Sequence, residues 1–430
     1  MKIVILGGGL AGLAAAYKLC SSNEVIILEK DSVLGGMAAS YHIDDYYIEK
    51  YYHHIFKSDA AILQLIEELG LGGRLEWLRG STGYFVDGKA YPMNTPFEIL
   101  RFPPLSSADI VRLGMLVMRA KFIKDRAPYD NIKASDWIRK VAGNSVYENF
   151  FAPLLESKFG SNSSRVSAAW LLGRVQIRSN RGKDGEKLGY MRGGFDLLVQ
   201  AVENSIVRAG GTIRTNCPAS KILIEDNSVR GVFAGSEMIE CDAVISTAAP
   251  DVLDALTEKQ LGIHDKLAGI HYQGTACALF GLKKRLMDDI YWLNIKGDVP
   301  FGAVIEHTNF LPLSDYKEHL VYATAYFQNE SDPLWKQSEE TVIESYIAGL
   351  ESMFPNFSRD DVKWTRMYRR LDTAPVYETG YMSKVLKAKT DVKGLYLAGM
   401  FSQPNYPERS MNGSIVAGFE CSDAVEGVKR

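Results

Sequence analysis

The 430-residue sequence contains few of the features that mark metal-dependent, disulfide-rich or membrane-spanning proteins. Its five cysteines are scattered, odd in number and never spaced as C-x-x-C, so neither a metal site nor a disulfide framework is indicated, and a cytoplasmic setting is expected. No apolar run reaches about 18 residues, so no transmembrane helix is expected. The formal net charge of -3 gives no electrostatic case for nucleic-acid binding. Neither a metal-ligand cluster nor a Ser/His/Asp arrangement is evident.

The most informative segment spans residues 3–36. It begins with a short apolar strand, Ile3–Leu6, and a G-x-G-x-x-G turn formed by Gly7, Gly9 and Gly12. An Ala/Leu-rich helix from Leu10 follows, and then a second strand, Val25–Leu28, which ends at the acid Glu29. Gly7 allows the tight turn, Gly9 lets the backbone approach a pyrophosphate, and Gly12 lets the helix pack close to the strand. The helix start faces the phosphates, and Glu29 can accept hydrogen bonds from a ribose diol. This order predicts a dinucleotide-binding βαβ unit.

A second glycine pair follows the acid. Val33-Leu34-Gly35-Gly36 resembles the extended fingerprint of FAD-dependent oxidases and desaturases, in which the pair lies close to the diphosphate and the ribityl chain. Gly70–Gly73 follows a predicted helix rather than a strand and is rejected as a nucleotide loop. A second dinucleotide motif is absent from the sequence, which argues against a dedicated NAD(P)H domain.

Pattern changes along the chain predict one nucleotide fold with two insertions. A hairpin is expected at 83–92, mainly helices at 106–180, antiparallel strands at 270–330 and a last helix at Ser414–Val425. The predicted domains are a discontinuous FAD-binding domain of residues 1–60, 188–250 and 372–430, a mainly helical insertion or cap of 61–187, and an antiparallel-sheet substrate domain of 251–371.

The helical stretch Ser107–Arg126 has two interpretations. Its cations Arg112, Arg119 and Arg126 recur every seven residues and share a face, while apolar residues cover the rest. The preferred interpretation is a cap helix packed on the core. The alternative is a helix lying on a membrane surface with cationic anchors.

The carboxyl-terminal region contains a strand that runs into a glycine, Leu395–Gly399, and then a helix opened by Asn412-Gly413-Ser414. Backbone N–H groups at such a helix start can hold negative charge on the N1/C2=O edge of a reduced flavin. Arg409 either supplies a cation at the same edge or forms a surface salt bridge.

With these motifs the chain resembles the superfamily of FAD-dependent amine oxidases, protoporphyrinogen oxidases and phytoene desaturases. It is similar to bacterial and archaeal NAD(P)/FAD-dependent oxidoreductases of the protoporphyrinogen-oxidase type over stretches 49–59, 153–160, 305–309 and the carboxyl-terminal motif. The resemblance implies an α/β fold, with a Rossmann-like FAD domain of the p-hydroxybenzoate-hydroxylase or amine-oxidase kind, an inserted α+β substrate domain and a helical cap. It also implies FAD as cofactor and a small-molecule substrate.

The resemblance carries cofactor contacts over to matching positions. Ala219 matches the residue whose backbone contacts adenine, and Met400 stands where many members have an acid on the ribityl chain. The full expected set is Gly7, Gly9, Leu10, Ala11, Gly12, Glu29, Lys30, Gly35, Gly36, Met37, His54, Ala219, Gly399, Met400, Arg409, Asn412, Gly413 and Ser414.

A second resemblance is local. The stretch His53–Ser58 is similar to the histidine segment of UDP-galactopyranose mutase, a flavoenzyme that isomerises a nucleotide sugar without net oxidation. The match implies that His54 lies near the flavin. The mutase's carboxyl-terminal pattern is missing here.

Three residues are candidates for catalysis: His54, Glu306 and His307. His54 is either a general base or a hydrogen-bond partner of the flavin or backbone. Glu306 and His307 close a predicted strand and are expected to line a cavity beside the flavin, or Glu306 orients His307. The aromatic residues expected either in the cavity wall or in the core are Tyr51, Tyr52, Trp292, Tyr377 and Tyr381.

Two functions from different classes follow. The preferred one is an FAD-dependent oxidase or desaturase that takes hydride from a C–N or C–C bond of an apolar or tetrapyrrole-like substrate, with oxygen or a quinone as acceptor. The alternative is a non-redox flavoenzyme acting on a nucleotide- or lipid-linked sugar. Peripheral membrane contact and a homodimer both remain open at this stage.

Overall fold

The computed structural model describes residues 1–178, 187–407 and 409–427. A five-stranded parallel sheet forms one half of the molecule. Its strands come from three separate sections of the chain: β1 (Lys2–Leu6), β2 (Glu24–Leu28), β9 (Thr212–Arg214), β13 (Ala243–Ser246) and β19 (Leu395–Leu397). They lie side by side in the order β19-β13-β1-β2-β9. The central strands are almost entirely apolar because both faces of the sheet are covered.

Three helices pack on this sheet: α1 (Leu10–Leu19), α9 (Asp196–Arg208) and α14 (Met411–Glu426). Helix α2 (Ala60–Glu68) packs against α14. Small residues let α1 and α14 approach each other closely. A Cβ placed on Gly418 of α14 would lie 2.3 Å from the carbonyl oxygen of Ala11. The terminal helix starts three residues before the predicted start, because the Ser410 hydroxyl accepts a hydrogen bond from the N–H of Gly413 and caps it.

A seven-stranded sheet forms the second half. Its strands are β6 (Thr82–Val86), β7 (Lys89–Pro92), β14 (Tyr272–Leu282), β15 (Trp292–Ile295), β16 (Ala303–Glu306), β17 (His319–Phe327) and β18 (Val362–Pro375). They lie side by side in the order β18-β14-β17-β16-β15-β6-β7. The predicted antiparallel strands and the 83–92 hairpin are both present. The hairpin belongs to this sheet, since β6 pairs in parallel with β15.

Smaller sheets and helices complete the described chain. The remaining strands are β3 (Ser40–Ile43), β4 (Tyr46–Glu49), β5 (Leu75–Arg79), β8 (Lys187–Met191), β10 (Ala219–Glu225), β11 (Ser228–Ala234) and β12 (Glu237–Glu240). The remaining helices are α10 (Pro250–Leu256), α11 (His264–Ala268), α12 (Pro333–Lys336) and α13 (Glu339–Met353). Helix α10 contacts β10 and α11, and α13 contacts β18.

The helical region contains α3 (Pro96–Leu100), α4 (Ser107–Phe122), α5 (Ala134–Ala142), α6 (Asn144–Val146), α7 (Ala152–Phe159) and α8 (Ala168–Arg178), with a π-helical turn at Tyr147–Phe151. The last two residues of the predicted helical stretch, 179 and 180, lie outside the described residues. Helix α4 ends earlier than predicted, because Ile123 turns to an extended conformation. Arg126 therefore does not share a helix face with Arg112 and Arg119. In the described parts of the chain, no helix is both long and apolar enough to span a bilayer.

Candidate functional site

A cavity of about 1460 Å³ joins the two halves of the molecule. One end lies at the carboxyl ends of β1, β2 and β13, where Gly7, Glu29 and Thr247 form the wall. This edge of an open parallel sheet is where nucleotides bind in such folds. The other end extends between α4, α7, α8 and the seven-stranded sheet. A single-ligand pocket usually measures roughly 300–1,000 Å³, so the cavity has room for a dinucleotide and a second molecule.

The two glycine motifs form one continuous surface at the nucleotide end. The N–H of Gly35 donates to the carbonyl of Gly8 at 2.9 Å, and a Cβ on Gly36 would lie 3.1 Å from Cα of Gly9. A Cβ on Gly9 itself would meet no protein atom closer than 3.8 Å. The absence of a side chain at Gly9 therefore opens space in the cavity rather than relieving a clash within the protein. Helix α1 begins here with no side-chain cap, which suits a phosphate ligand.

Gly12 does not line the cavity. A Cβ at this position would lie 2.0 Å from the carbonyl oxygen of Gly7, so glycine is required for α1 to pack against the turn. Gly7 itself has φ +107, a conformation that L side chains rarely adopt.

The Glu29 carboxylate lies at the cavity wall and organises the loop around it. One oxygen accepts the N–H of Gly8 at 2.6 Å, and the other accepts the N–H of Asp31 at 2.8 Å. Lys30 and Ala219 line the cavity beside it. Each carboxylate oxygen has a further lone pair, so hydrogen bonds from a ligand hydroxyl remain compatible with these backbone contacts.

Replacing Glu29 with alanine should weaken FAD binding and also loosen the glycine turn. The two backbone N–H groups and the ligand hydroxyls would lose their acceptor, at about 1–3 kcal/mol for each buried group. FAD titration by fluorescence quenching, together with the thermal midpoint of the FAD-free protein, separates the two effects. Glu24→Ala, at an exposed position on β2, is the control and should change neither. Unchanged FAD affinity in Glu29→Ala would rule out a ligand contact at Glu29.

The carboxyl-terminal motif supplies part of the opposite wall. Gly399, Met400, Arg409 and Ser414 line the cavity, together with Leu10, Ala11, Gly35, Gly36 and Met37 from the first βαβ unit. Asn412 does not reach it, because its Oδ1 accepts the N–H groups of Ala61 and Ile62 and holds the start of α2. Gly413 also lies outside the wall; a Cβ there would lie 2.5 Å from Oδ1 of Asn405.

The loop Tyr51–His54 brings polar groups to the middle of the cavity. His53 Nδ1 lies 2.7 Å from the carbonyl oxygen of Tyr51 and must carry the proton, because a carbonyl only accepts. Burial, with a smaller contribution from the nearby charge of Arg409, lowers the pKa of His53 to about 4. The ring is therefore neutral near pH 7, and its Nε2 is an acceptor. His53 was not singled out from the sequence.

His54 lines the cavity, with its ring edge-on to Phe56 at a centroid distance of 5.3 Å. Of the predicted aromatic wall, Tyr51, Tyr52 and Trp292 are present, and the Tyr52 and Trp292 rings meet at 4.7 Å. The other two predicted members, Tyr377 and Tyr381, do not line the cavity and pack against each other in the core.

Glu306 and His307 lie outside the cavity, so the expectation that they line it is wrong. Strand β16 contributes Ala303 to the wall, whereas its other end turns into the core. The Glu306 carboxylate accepts the backbone N–H groups of Leu286 and Met287, and burial raises its pKa to about 7. His307 Nε2 lies 2.8 Å from the Tyr316 hydroxyl. These contacts fix loops behind the sheet.

The buried His307 should make the protein sensitive to acid. Burial lowers its pKa to about 3, whereas the unfolded chain takes up the proton near pH 6.5. Its unfavourable effect on stability is therefore small above pH 6.5 and grows as the pH falls toward 3. His307→Gln should remove roughly 2 kcal/mol of destabilisation between pH 7 and pH 5. Urea unfolding of both proteins at the two pH values measures this difference, and a pH-independent difference would contradict it.

The far arm of the cavity is mainly apolar. Its described wall within residues 82–175 includes Tyr84, Ile110, Val117, Phe151, Leu154 and Trp170, and its charged members are Lys158 and Arg174. The Lys158 ammonium stands 5.3 Å from the centre of the Trp170 ring. The arm therefore fits an apolar body and presents cations rather than carboxylates to it.

The residues present fit a bound flavin dinucleotide. The Thr275 hydroxyl is buried in the cavity wall and has no hydrogen-bond partner among the described residues, as expected where a ligand supplies one. The wall also combines an uncapped helix start, two close glycine pairs and a carboxylate beside the second strand. This combination is that of a dinucleotide-binding site.

Comparison with known proteins assigns the family. Residues 10–426 match the model of the flavin-containing amine oxidoreductases, and the chain belongs to this family. It is 25% identical over 468 residues to the tomato (Solanum lycopersicum) 15-cis-phytoene desaturase of chloroplasts and chromoplasts, covering 99% of this chain and 77% of that protein.

Solved structures are similar over the whole chain. A protein from Exiguobacterium sp. 255-15, provisionally named a protoporphyrinogen oxidase, superimposes with a TM-score of 0.80 at 19% identity, covering 100% of this chain and 99% of that one. Reduced UDP-galactopyranose mutase superimposes with a TM-score of 0.76 at 19% identity, covering 100% and 96%. The predicted α/β fold is confirmed, and the protein is an FAD-dependent oxidoreductase of the amine oxidase and desaturase family.

Proposed function

We propose that this enzyme takes hydride from a C–N or C–C bond of an apolar or tetrapyrrole-like substrate and passes the electrons to oxygen or a quinone. The observation that carries the proposal is the continuity of the cavity, which joins the nucleotide end to an apolar arm. The apolar residues that make up most of the described wall of this arm suit an apolar substrate body.

Different residues along the cavity would bind different parts of the dinucleotide. Glu29, Lys30 and Ala219 would hold the adenosine part, the start of α1 with Gly9 the diphosphate, and Met37, Met400, Arg409 and Ser414 the isoalloxazine end. Bound FAD supplies the hydride acceptor. The apolar wall excludes water from the bond that breaks.

Proton transfer falls to the loop Tyr51–His54. Nε2 of His53 is an acceptor near pH 7, and the hydrogen bond to the Tyr51 carbonyl fixes its tautomer. His54, on the same loop, is the other candidate. Because its low pKa makes His53 a weak base, His54 is the better group to take the proton that a C–N or C–C oxidation releases, and His53 would accept a hydrogen bond.

Anaerobic reduction of the bound flavin tests this function. The FAD-loaded enzyme is mixed with amines, porphyrinogens, polyprenyl compounds and nucleotide sugars, and the loss of yellow colour is followed. We expect one flavin reduced per apolar substrate molecule oxidised. If a nucleotide sugar is converted with no electrons consumed, the non-redox alternative is correct and the proposal fails.

The proton-transfer role is tested with the substrate that bleaches the flavin. His54→Ala and His53→Ala should each keep FAD, and the variant lacking the base should reduce flavin roughly 100-fold more slowly. His42→Ala, at an exposed histidine on β3, is the matched control. Unchanged reduction rates in both loop variants would exclude the loop as the base.

A further inference from the structure

Helix α4 is apolar around most of its circumference. Leu113, Leu116 and Ala120 face the core, and Ile110 and Val117 line the cavity. A helix with this composition is normally buried on all sides. One side of α4 is nevertheless open to solvent.

The open side carries large apolar residues at helical spacing. Val111, Met115, Met118 and Phe122 follow one another at intervals of four, three and four residues and therefore share one face. Phe97 and Leu100 of the neighbouring α3 extend it. Each of these six residues is more than half exposed, and Phe122 reaches 76%. We refer to these six residues as the outer apolar face.

Cations border the outer apolar face. At 3.6 residues per turn, Arg112 and Arg119 lie on one side of the α4 stripe and Lys121 on the other. Residues 96–126 contain six Lys or Arg and three Asp or Glu, a balance of +3 within a chain whose formal net charge is -3. One of the three acids, Asp109, is buried and bonded to Ser106, Ser145 and Arg112.

We propose that the outer apolar face docks onto an anionic lipid bilayer. Apolar side chains flanked by cations match the boundary between acyl chains and negatively charged headgroups. A second copy of the chain fits less well, because a symmetric dimer through this face would bring the cations of both copies together.

The docked orientation places a cavity opening at the lipid. Leu100 and Met118 belong to the outer apolar face and also line the cavity, as does the exposed Gly114. An apolar substrate could therefore pass from the bilayer into the apolar arm without crossing water. This entry route rests on the proposed function, whereas the docking itself does not.

Vesicle sedimentation tests the docking without any substrate. The full FAD-loaded protein is mixed with vesicles of phosphatidylcholine alone or with one quarter phosphatidylglycerol, at low and high salt. We expect binding to the anionic vesicles at low salt, at least about tenfold weaker binding to the neutral ones, and partial loss at high salt.

Three variants locate the surface. The double variant Val111→Glu/Phe122→Glu should weaken vesicle binding at least about tenfold. The double variant Arg119→Gln/Lys121→Gln should weaken binding by the same factor to anionic vesicles and leave binding to neutral vesicles unchanged. Val207→Glu, at an exposed apolar position on α9, should bind as the wild type does. FAD content and thermal midpoint verify folding.

Two outcomes would overturn the docking. The first is equal binding by the wild type and the Val111→Glu/Phe122→Glu variant. The second is a wild-type dimer on gel filtration, without vesicle binding, that this variant dissociates. Both readouts are independent of turnover, so they stand whether or not the flavin-reduction panel succeeds.

Discussion

Replacing Gly9 with alanine should weaken FAD binding by roughly 10- to 100-fold while leaving the protein folded. The backbone of Gly9 has φ -73 and ψ 175, which alanine adopts without strain, and the added Cβ would contact nothing in the protein closer than 3.8 Å. It would instead project into the cavity where we expect the diphosphate. An extra methyl group in a tightly packed contact costs about 1–3 kcal/mol.

The measurement is FAD affinity alongside the thermal midpoint of the FAD-free protein. Gly12→Ala gives the opposite pattern, because its Cβ would meet the Gly7 carbonyl of the protein itself; the FAD-free midpoint should fall. Gly73→Ala, where a Cβ meets nothing within 4 Å, should change neither quantity. Wild-type FAD affinity in Gly9→Ala would mean that the diphosphate does not approach this turn.

Replacing Glu49 with alanine should destabilise the enzyme by roughly 2–6 kcal/mol. This carboxylate is fully buried, and it accepts the Tyr190 hydroxyl and the N–H of Phe195, each at 2.6 Å. Its removal leaves two buried donors unpaired, at about 1–3 kcal/mol each. The Glu49 carbonyl also accepts the Tyr322 hydroxyl at 2.6 Å, so β4 is tied to β8, the start of α9 and β17 at one point.

Urea unfolding of the FAD-loaded protein measures this loss. Glu49→Gln keeps one acceptor oxygen and should lie between the wild type and the alanine variant. Glu330→Ala, at an exposed acid between β17 and α12, controls for charge removal alone. Because β4 leads into the loop Tyr51–His54, Glu49→Ala should also slow flavin reduction. Equal free energies of unfolding for all four proteins would show that the Glu49 side chain does not stabilise the fold.

The nucleotide end was predictable because its chemistry is local. Strand, glycines, helix, strand and acid lie within residues 3–36, and Gly12 and Gly36 are constrained by neighbours in this unit, whereas a Cβ on Gly7 would meet the side chain of the distant Thr247. Gly9 and Gly12 were both predicted from the spacing of the motif, with different roles. In the structure Gly9 lines the cavity, and Gly12 allows α1 to pack against the turn.

The substrate side was harder to predict because it depends on contacts that are distant in sequence. Glu306 and His307 stand at a strand end, but which end of β16 meets the cavity is set by its pairing with β17 and β15. Asn412 looked like a flavin contact from its position, yet the start of α2, some 350 residues earlier, occupies its side chain. Burial, which neutralises His53, is likewise invisible in a pattern of residue types.

The parallel pairing of β6 with β15 limits how the enzyme can be redesigned. The hairpin β6–β7 lies in the first insertion but completes the sheet of the second. A chimera whose replacement insertion lacked this hairpin, or did not match its register with β15, would leave β15 as an unpaired sheet edge, open to intermolecular pairing and aggregation. Specificity grafts should therefore retain residues 82–92 and exchange only the helices that follow them.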